Sequence, residues 1–235
     1  MATFVLVHGA WQGGWCWKRV SALLRQYGHE VYCPTLTGLG ERAHLLCESI
    51  DLDTHIQDIL GVVACEELTD IVLCGHSYGG VVITGVADKL HQYIRSLVYL
   101  DALVPENGQN VIDLLPADIG MELQKAARTK GDGYRVAPTP AIAFGVGMQD
   151  QGWVDRHCVD HPLGSFVQAI ELQGLWKQVA RYRYIYATGW TPGIGGPFFK
   201  KAQREVGWEA MTIPCGHDVM IDMPKELAQI LVASI

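Results

Sequence analysis

The sequence contains no apolar stretch that approaches the roughly 18 residues of a membrane-spanning helix. It is also short of positive charge, because 18 Lys and Arg residues against 25 Asp and Glu residues give a net charge of −7. That balance offers no electrostatic footprint for nucleic acid. The first residues, 1–7, lack the basic segment of a secretory signal peptide. We therefore expect a cytoplasmic protein that binds neither membranes nor nucleic acids.

Disulfide and metal signals are weak as well. The seven cysteines are an odd number without C-x-x-C spacing, which favours reduced thiols over a disulfide framework. One segment combines several metal-ligating residue types: Asp155, His157, Cys158, Asp160 and His161. Pro162 follows at once, and the segment has the character of an exposed loop. We expect neither a metal nor another cofactor.

What is present is the pattern of an α/β fold. At 49% hydrophobic and 18% charged residues, the 235-residue chain can form one domain with a sizeable core. Short buried-type strands alternate with helical patterns, and the strands are predicted at 3–7, 30–33, 71–74, 94–100, 182–187 and 208–213. This alternation predicts a mostly parallel central sheet flanked by helices.

Residues 104–179 break the rhythm with prolines, scattered glycines and short helical patches. The patches are predicted at 118–128 and 165–179. We predict that this segment is a cap inserted over the active site, and that residues 1–103 and 180–235 form the core.

One helix of the core is predicted to begin at Thr54, because Thr54 and Gln57 have the spacing of a capping box. Its inner face is marked by Ile56 and Ile59, which places His55 on the exposed face. The preceding residues, 35–46, are predicted to form a loop.

The candidate nucleophile is Ser77, which lies in a G-x-S-x-G motif between Gly75 and Gly79. The motif follows a buried-type strand and precedes a helical pattern. A turn between the two lifts one hydroxyl clear of the sheet, where it can attack a carbonyl if a base is within reach.

A serine hydroxyl needs a base at neutral pH, and imidazole has a suitable pKa. Among nine histidines His217 is favoured, because it follows the last strand and Gly216 lets the ring project over the strand ends. His8 and His76 also lie near the motifs, but each adjoins a motif glycine and is explained as a local hydrogen-bonding group.

The carboxylate that orients this histidine is expected after the strand at 182–187, but residues 187–196 contain no acid. Asp101 ends the strand next to the nucleophile strand and is favoured instead. Asp218 and Glu106 are the alternatives.

Acyl transfer also needs donors for the oxyanion, and the backbone N–H groups of Ala10 and Tyr78 are predicted to supply them. Ala10 lies in the glycine-rich loop after the first strand, and Tyr78 opens the helix after the nucleophile. Trp11, Trp153 and Trp176 are candidates for lining the substrate pocket, with core packing as the alternative.

In order along the chain stand His8-Gly9-Ala10-Trp11, Gly75-His76-Ser77-Tyr78-Gly79-Gly80 and Cys215-Gly216-His217. With these motifs the sequence resembles the α/β-hydrolase superfamily. Phe4–Trp11, Gly14–Trp17 and Pro34–Gly40 are similar to the branch of plant methylesterases, plant hydroxynitrile lyases and related bacterial esterases. The resemblance implies a cofactor-free serine hydrolase acting on small, fairly apolar carboxylic esters.

Two features depart from that branch. The resemblance implies an aspartate where residues 189–196 stand, so Asp101 is an inference from topology. The lyases carry a threonine in the first loop and a lysine just after the histidine, whereas this chain has Gly9 and Asp218. A carboxylate beside a departing cyanide would repel it, which disfavours cyanohydrin cleavage.

The sequence thus predicts a carboxylesterase that forms an acyl-enzyme on Ser77, with His217 as base and Asp101 as acid. The alternative is a hydrolase-fold ligand receptor, or a cofactor-free proton-transfer or lyase enzyme that uses the same triad. The expected partner is a small-molecule ester, and a homodimer is left open.

Overall fold

A computed structural model describes residues 1–191 and 193–235. Pro192, which falls in the predicted glycine-rich loop at 189–197, lies outside the described residues. Six of the described strands form one parallel sheet: β1 Thr3–Val7, β2 Glu30–Tyr32, β3 Ile71–His76, β4 Ile94–Leu100, β7 Arg181–Ala187 and β8 Trp208–Ile213. Their order across the sheet is β2-β1-β3-β4-β7-β8. Two short strands, β5 Arg135–Val136 and β6 His161–Pro162, pair antiparallel apart from it.

Helices connect and flank these strands. The α-helices are α1 Lys18–Gln26, α2 Leu52–Cys65, α3 Gly79–Leu90, α4 Val111–Leu114, α5 Ala117–Lys130, α6 Met148–His157, α7 Gly164–Val167, α8 Gly196–Ala202, α9 Val219–Asp222 and α10 Pro224–Val232. Short 3-10 helices lie at Gly14–Trp17, Gly40–Leu45, His91–Tyr93, Ala141–Phe144 and Leu175–Gln178. No helix in the described part of the chain is long and apolar enough to cross a membrane.

The predicted α/β architecture is confirmed, and the physics of the sheet explains it. Strand β1 alternates between two hydrophobic clusters: Val5 and Val7 face one of them, and Phe4 and Leu6 face the other. A parallel sheet that is covered on both faces needs such side chains on both sides. The chain therefore buries a core on each face and leaves its chemistry at the strand ends.

Strand register brings the carboxyl ends of β1, β3 and β4 to one edge. Val7 pairs with Gly75, and His76 pairs with Leu100. The residues that follow these strands accordingly begin at the same level of the sheet. Ligands bind at this edge in open parallel sheets.

Several local predictions were wrong. Helix α2 begins after Asp51, whose carboxylate accepts the Thr54 N–H at 2.9 Å, so Asp51 is the cap and Thr54 its partner. His55 is fully buried rather than exposed. Residues 40–45 form a 3-10 helix inside the predicted loop.

The segment between β4 and β7 contains α4 to α7 and the β5–β6 pair. The helix predicted over 118–128 is present as α5, whereas the one predicted over 165–179 is replaced by α7 and a separate 3-10 turn. All seven cysteines are free thiols.

Candidate active site

Ser77 lies on a tight turn between β3 and α3. Its φ angle is 54°, a left-handed conformation that is strained for a residue with a side chain. The flanking glycines make the turn possible, because a Cβ on Gly75 would lie 2.5 Å from the Gly79 oxygen and one on Gly79 would lie 2.7 Å from the His8 oxygen. The backbone thus has room for Ser77 and for no larger neighbours.

His217 lies in the loop between β8 and α9 and is buried. Its backbone N–H donates to the Phe144 oxygen at 2.8 Å, and its Nδ1 donates to Oδ2 of Asp101 at 2.7 Å. Nε2 is therefore the ring nitrogen available to a second partner. Ser77 and His217 line the same cavity, and among the described residues no hydrogen bond joins the Ser77 hydroxyl to the ring. Catalytic hydrogen bonds are often long before substrate binds.

Asp101 is fully buried at the end of β4, with a φ angle of 43°. Oδ2 accepts the Trp190 indole N–H at 2.8 Å in addition to the His217 bond, and the Ala187 N–H lies 3.4 Å from Oδ1. A Cβ on Gly195 would lie 2.3 Å from Oδ1. The loop without an acid therefore surrounds the carboxylate of Asp101.

The alternative acids do not contact the His217 ring. Oδ1 of Asp218 accepts from the Gln12 amide at 3.0 Å, and burial raises the pKa of Asp218. Glu106 pairs with Lys177 and Lys201 at the surface. Asp218 is also absent from the described cavity lining, so the predicted repulsion of a departing anion is not a direct contact.

His8 and His76 are local hydrogen-bonding groups, as predicted. Nδ1 of His8 donates to the Gly9 oxygen at 2.8 Å, while Nε2 accepts the Leu36 N–H at 3.1 Å. Burial lowers the pKa of His8 to about 4, so the ring is neutral at pH 7. His76 Nε2 donates to the His217 oxygen at 3.1 Å and so supports the loop that carries His217.

The two predicted oxyanion donors lie beside Ser77. Ala10 and Tyr78 both line the cavity, and no described residue accepts a hydrogen bond from either backbone N–H. Tyr78 precedes α3, where the helix dipole also favours negative charge. One free backbone N–H thus lies at the Ser77 turn, on Tyr78, and the other lies on Ala10 in the loop after β1.

The cavity has a volume of about 550 Å³. Most of its lining is apolar and includes Leu103, Val111, Leu115, Ile119, Leu123, Ala126, Val136, Phe144, Phe166 and Ile194. Asp118 and Glu122 of α5 are the carboxylates of the described lining. This size suits a small organic ligand.

Of the three predicted pocket tryptophans, only Trp11 lines this cavity. Trp153 packs edge-on against Trp15, with ring centroids 5.0 Å apart. Trp176 lines a separate cleft of about 320 Å³. Trp190 also lines the cavity, and the sequence did not indicate it, because its indole N–H bond to Asp101 depends on a loop without a periodic pattern.

The described residues contain no group of three or more His, Cys, Asp or Glu side chains placed to hold a metal ion. The segment that raised this alternative is not an exposed loop throughout, because His161 is fully buried. Its Nδ1 accepts the Trp11 N–H and its Nε2 contacts the Ser165 hydroxyl.

The sheet order, the Ser77 turn and the His217–Asp101 pair define an α/β-hydrolase. The chain belongs to the alpha/beta hydrolase family, whose model matches residues 4–230. This confirms the resemblance inferred from the motifs.

Some relatives align over nearly the whole chain. A carbendazim hydrolyzing esterase from Nocardioides sp. (strain SG-4G) is 48% identical over 241 residues, covering 99% of each chain. Methylesterase 18 of Arabidopsis thaliana is 27% identical over 252 residues, covering 97% of this chain and 95% of its own. An extracellular α/β-hydrolase from a Paenibacillus species has a similar structure, with a TM-score of 0.88, 22% identity, and 100% and 99% of the two chains covered.

Proposed function

We propose that the protein is a serine esterase that hydrolyses small, fairly apolar carboxylic esters through an acyl-enzyme on Ser77. The observation that carries the proposal is the 2.7 Å contact between Nδ1 of His217 and Oδ2 of Asp101. The same histidine lines an apolar cavity together with Ser77. The 48% identical relative is named for ester hydrolysis, which supports the same reaction class here.

In the first half-reaction the Ser77 oxygen attacks the ester carbonyl as its proton passes to Nε2 of His217. The carbonyl electron pair moves to the oxygen, which the N–H groups of Ala10 and Tyr78 stabilise. Asp101 keeps the Nδ1 proton in place and stabilises the imidazolium. Collapse of the tetrahedral intermediate expels the alcohol, which takes the proton from Nε2.

In the second half-reaction water attacks the acyl group on Ser77, and Nε2 of His217 accepts one water proton. Collapse then releases the carboxylic acid and returns the proton to Ser77. Each step uses one donor or acceptor that this chain supplies, and no cofactor enters the balance.

The cavity suggests which esters fit. Its apolar lining favours aliphatic or aromatic groups, and the carboxylates of Asp118 and Glu122 disfavour esters that carry a negatively charged group. Methyl and nitrophenyl esters of uncharged acids are therefore suitable probes, and carbendazim is a further one because of the relative that bears its name.

Steady-state hydrolysis of p-nitrophenyl acetate and butyrate by wild type, Ser77→Ala and Ser49→Ala tests the proposal. Ser49 is exposed and serves as the matched control. We expect Ser77→Ala to lose at least about 10³-fold in kcat and Ser49→Ala to match wild type. Intact mass spectrometry of wild type mixed with substrate should show an acyl adduct that Ser77→Ala lacks.

Turnover that persists in Ser77→Ala would refute the acyl-enzyme. Absence of turnover in wild type, together with saturable binding of the same esters, would support the hydrolase-fold receptor. With a cyanohydrin as the probe, release of cyanide together with an aldehyde or ketone would support the lyase.

A further inference from the structure

Trp11 adopts a left-handed backbone conformation that needs stabilising contacts. Its φ angle is 63°, a left-handed conformation that is strained for a bulky side chain. Trp11 directly follows Ala10, whose N–H is one of the proposed oxyanion donors. The geometry of Trp11 therefore bears on the geometry of the donor.

Residues between β4 and β7 contact Trp11 at its backbone and its indole. Its N–H donates to Nδ1 of His161 at 3.2 Å, and its oxygen accepts the Val159 N–H at 2.9 Å. The indole N–H donates to the Val136 oxygen at 3.0 Å. The strained residue is thus held by the inserted segment rather than by the sheet on which the loop rests.

Two histidines fix the peptide groups on either side of Ala10. His8 donates to the Gly9 oxygen, which belongs to the peptide that carries the Ala10 N–H. His161 accepts from the Trp11 N–H, which belongs to the next peptide. Because peptide groups are planar, each contact restricts the rotation of a whole unit.

The hydrogen bonds of His161 define its tautomer. A backbone N–H can only donate, so Nδ1 of His161 accepts and Nε2 carries the proton. Nε2 then donates to Oγ of Ser165 at 2.8 Å, and the Ser165 hydroxyl donates to the Pro162 oxygen at 2.9 Å. Every polar atom in this chain of contacts has a defined role.

The same ring also contacts the other donor residue. His161 packs edge-on against the Tyr78 ring with centroids 4.9 Å apart, and it stacks on Phe166 at 4.2 Å. His161 is fully buried and does not line the cavity in the described residues. It therefore acts on the site through Trp11 and Tyr78 and not by touching substrate.

We propose that His161 is a positioning residue for the oxyanion hole, contributed by the inserted segment to hold the Ala10 loop against Tyr78. This inference rests on the proposed serine esterase. It assigns a function to a histidine that the triad does not use, and it makes the inserted segment part of the catalytic geometry as well as of the pocket wall.

Two substitutions separate positioning from packing. In His161→Asn the side-chain oxygen stands as many bonds from Cβ as Nδ1 does, so it can still accept from Trp11. In His161→Gln the amide nitrogen stands at the place of Nε2, so the Ser165 contact is retained and the acceptor for Trp11 is lost. A role in packing alone predicts that the more closely matched volume of Gln does at least as well as Asn.

The assay is steady-state hydrolysis of a p-nitrophenyl ester and of the matching thionoester, with thermal unfolding of each variant. Removal of an oxyanion donor costs about 10²–10³-fold in kcat, so displacement of one should cost about 10–100-fold in His161→Gln with little change in KM. His161→Asn should stay within a few-fold of wild type. Thionoester hydrolysis should fall less in His161→Gln, because a sulfur anion accepts hydrogen bonds weakly.

Equal kcat values for His161→Gln and His161→Asn, or an equal loss on ester and thionoester, would overturn the proposal. If His161→Gln does not fold, Ser165→Ala is the substitute test, because it removes the partner of His161 Nε2. An unchanged kcat in Ser165→Ala would also overturn the proposal. Failure of the esterase itself is distinct, since it would appear as hydrolysis that survives Ser77→Ala.

Discussion

Acidification toward pH 5 should destabilise this protein, because several of its histidines are buried in the neutral form. His8, His55, His76 and His161 are at most 1% exposed. Burial lowers the pKa of His8 and of His55 to about 4, and it lowers the pKa of His76 and of His161 well below the usual value.

The hydrogen bonds of these rings require an unprotonated nitrogen. His8 and His161 each accept from a backbone N–H. His55 donates from Nε2 to the Thr37 oxygen at 2.9 Å and accepts the Tyr78 hydroxyl at Nδ1, at 2.7 Å. A second proton on any of these rings would either point at another N–H or O–H donor or have no hydrogen-bond acceptor.

The depressed pKa values of these histidines determine the direction in which stability changes with pH. Above the unfolded value of about 6.5 both states are neutral, and the stability is fully present. Below it the unfolded chain takes up protons that the folded protein cannot accept, so stability is lost as pH falls from about 6.5 toward the folded pKa of about 4. At pH 5 this amounts to about 2 kcal/mol for each of His8 and His55, or about 4 kcal/mol together.

His76 and His161 act in the same direction. Asp218 and Asp222 oppose them, because burial raises the pKa of each carboxyl group and its protonation on acidification favours the folded state. Two opposing groups do not offset four. Since a typical domain is stable by about 5–15 kcal/mol, the loss at pH 5 is a large share of the total.

Urea denaturation at half-unit steps from pH 7.5 to pH 5.0 measures the effect. His55→Gln retains a donor for the Thr37 oxygen and removes one titrating group. Its unfolding free energy should therefore fall less steeply than that of wild type between pH 6 and pH 5, because its unfolding takes up about one proton fewer. His44→Gln replaces an exposed histidine and should follow wild type. A wild-type unfolding free energy at pH 5.0 within about 1 kcal/mol of that at pH 7.5 would refute the reasoning.

Three substitutions test the site itself. Trp190→Phe removes one donor to Asp101 and should lower kcat about 10-fold, since a hydrogen bond to a charged group contributes about 1.5–3 kcal/mol. Gly195→Ala places a Cβ 2.3 Å from the Asp101 oxygen and should lower kcat at least as much, whereas Gly196→Ala, whose Cβ meets nothing closer than 3.6 Å, should not. Ala126→Phe narrows the cavity and should raise KM for phenyl esters but not for methyl acetate.

The sheet could be predicted from the sequence because its strands are short, apolar and separated by helical patterns. The face of α2 that carries His55 could not. Helical periodicity marks one inner face, but α2 packs against both α3 and α7, and its His55 contacts Thr37, Tyr78 and the ring of His161. A helix that packs between two elements has two buried faces. The periodicity of the helix does not predict which segment of the chain covers the second face.

The candidate site divides in the same way. Ser77 and Asp101 follow adjacent strands of a parallel sheet, so their proximity follows from topology, and His217 joins them from the end of β8. Trp190 and His161 come from segments without a periodic pattern. Their contacts with Asp101 and Trp11 depend on tertiary packing, which the sequence of a non-periodic segment does not indicate.

Ser77, Asp101 and Trp11 carry the three non-glycine left-handed φ angles at the site, at 54°, 43° and 63°. Each costs roughly 1–3 kcal/mol, and each is found where a functional group must be presented at an unusual angle. Buried polar contacts offset that strain. The neutral rings of His8 and His161 contact the Ala10–Trp11 loop, so the groups that hold the proposed oxyanion donors are also groups whose protonation destabilises the fold. The proposed catalytic geometry and stability against acid therefore depend on the same histidines.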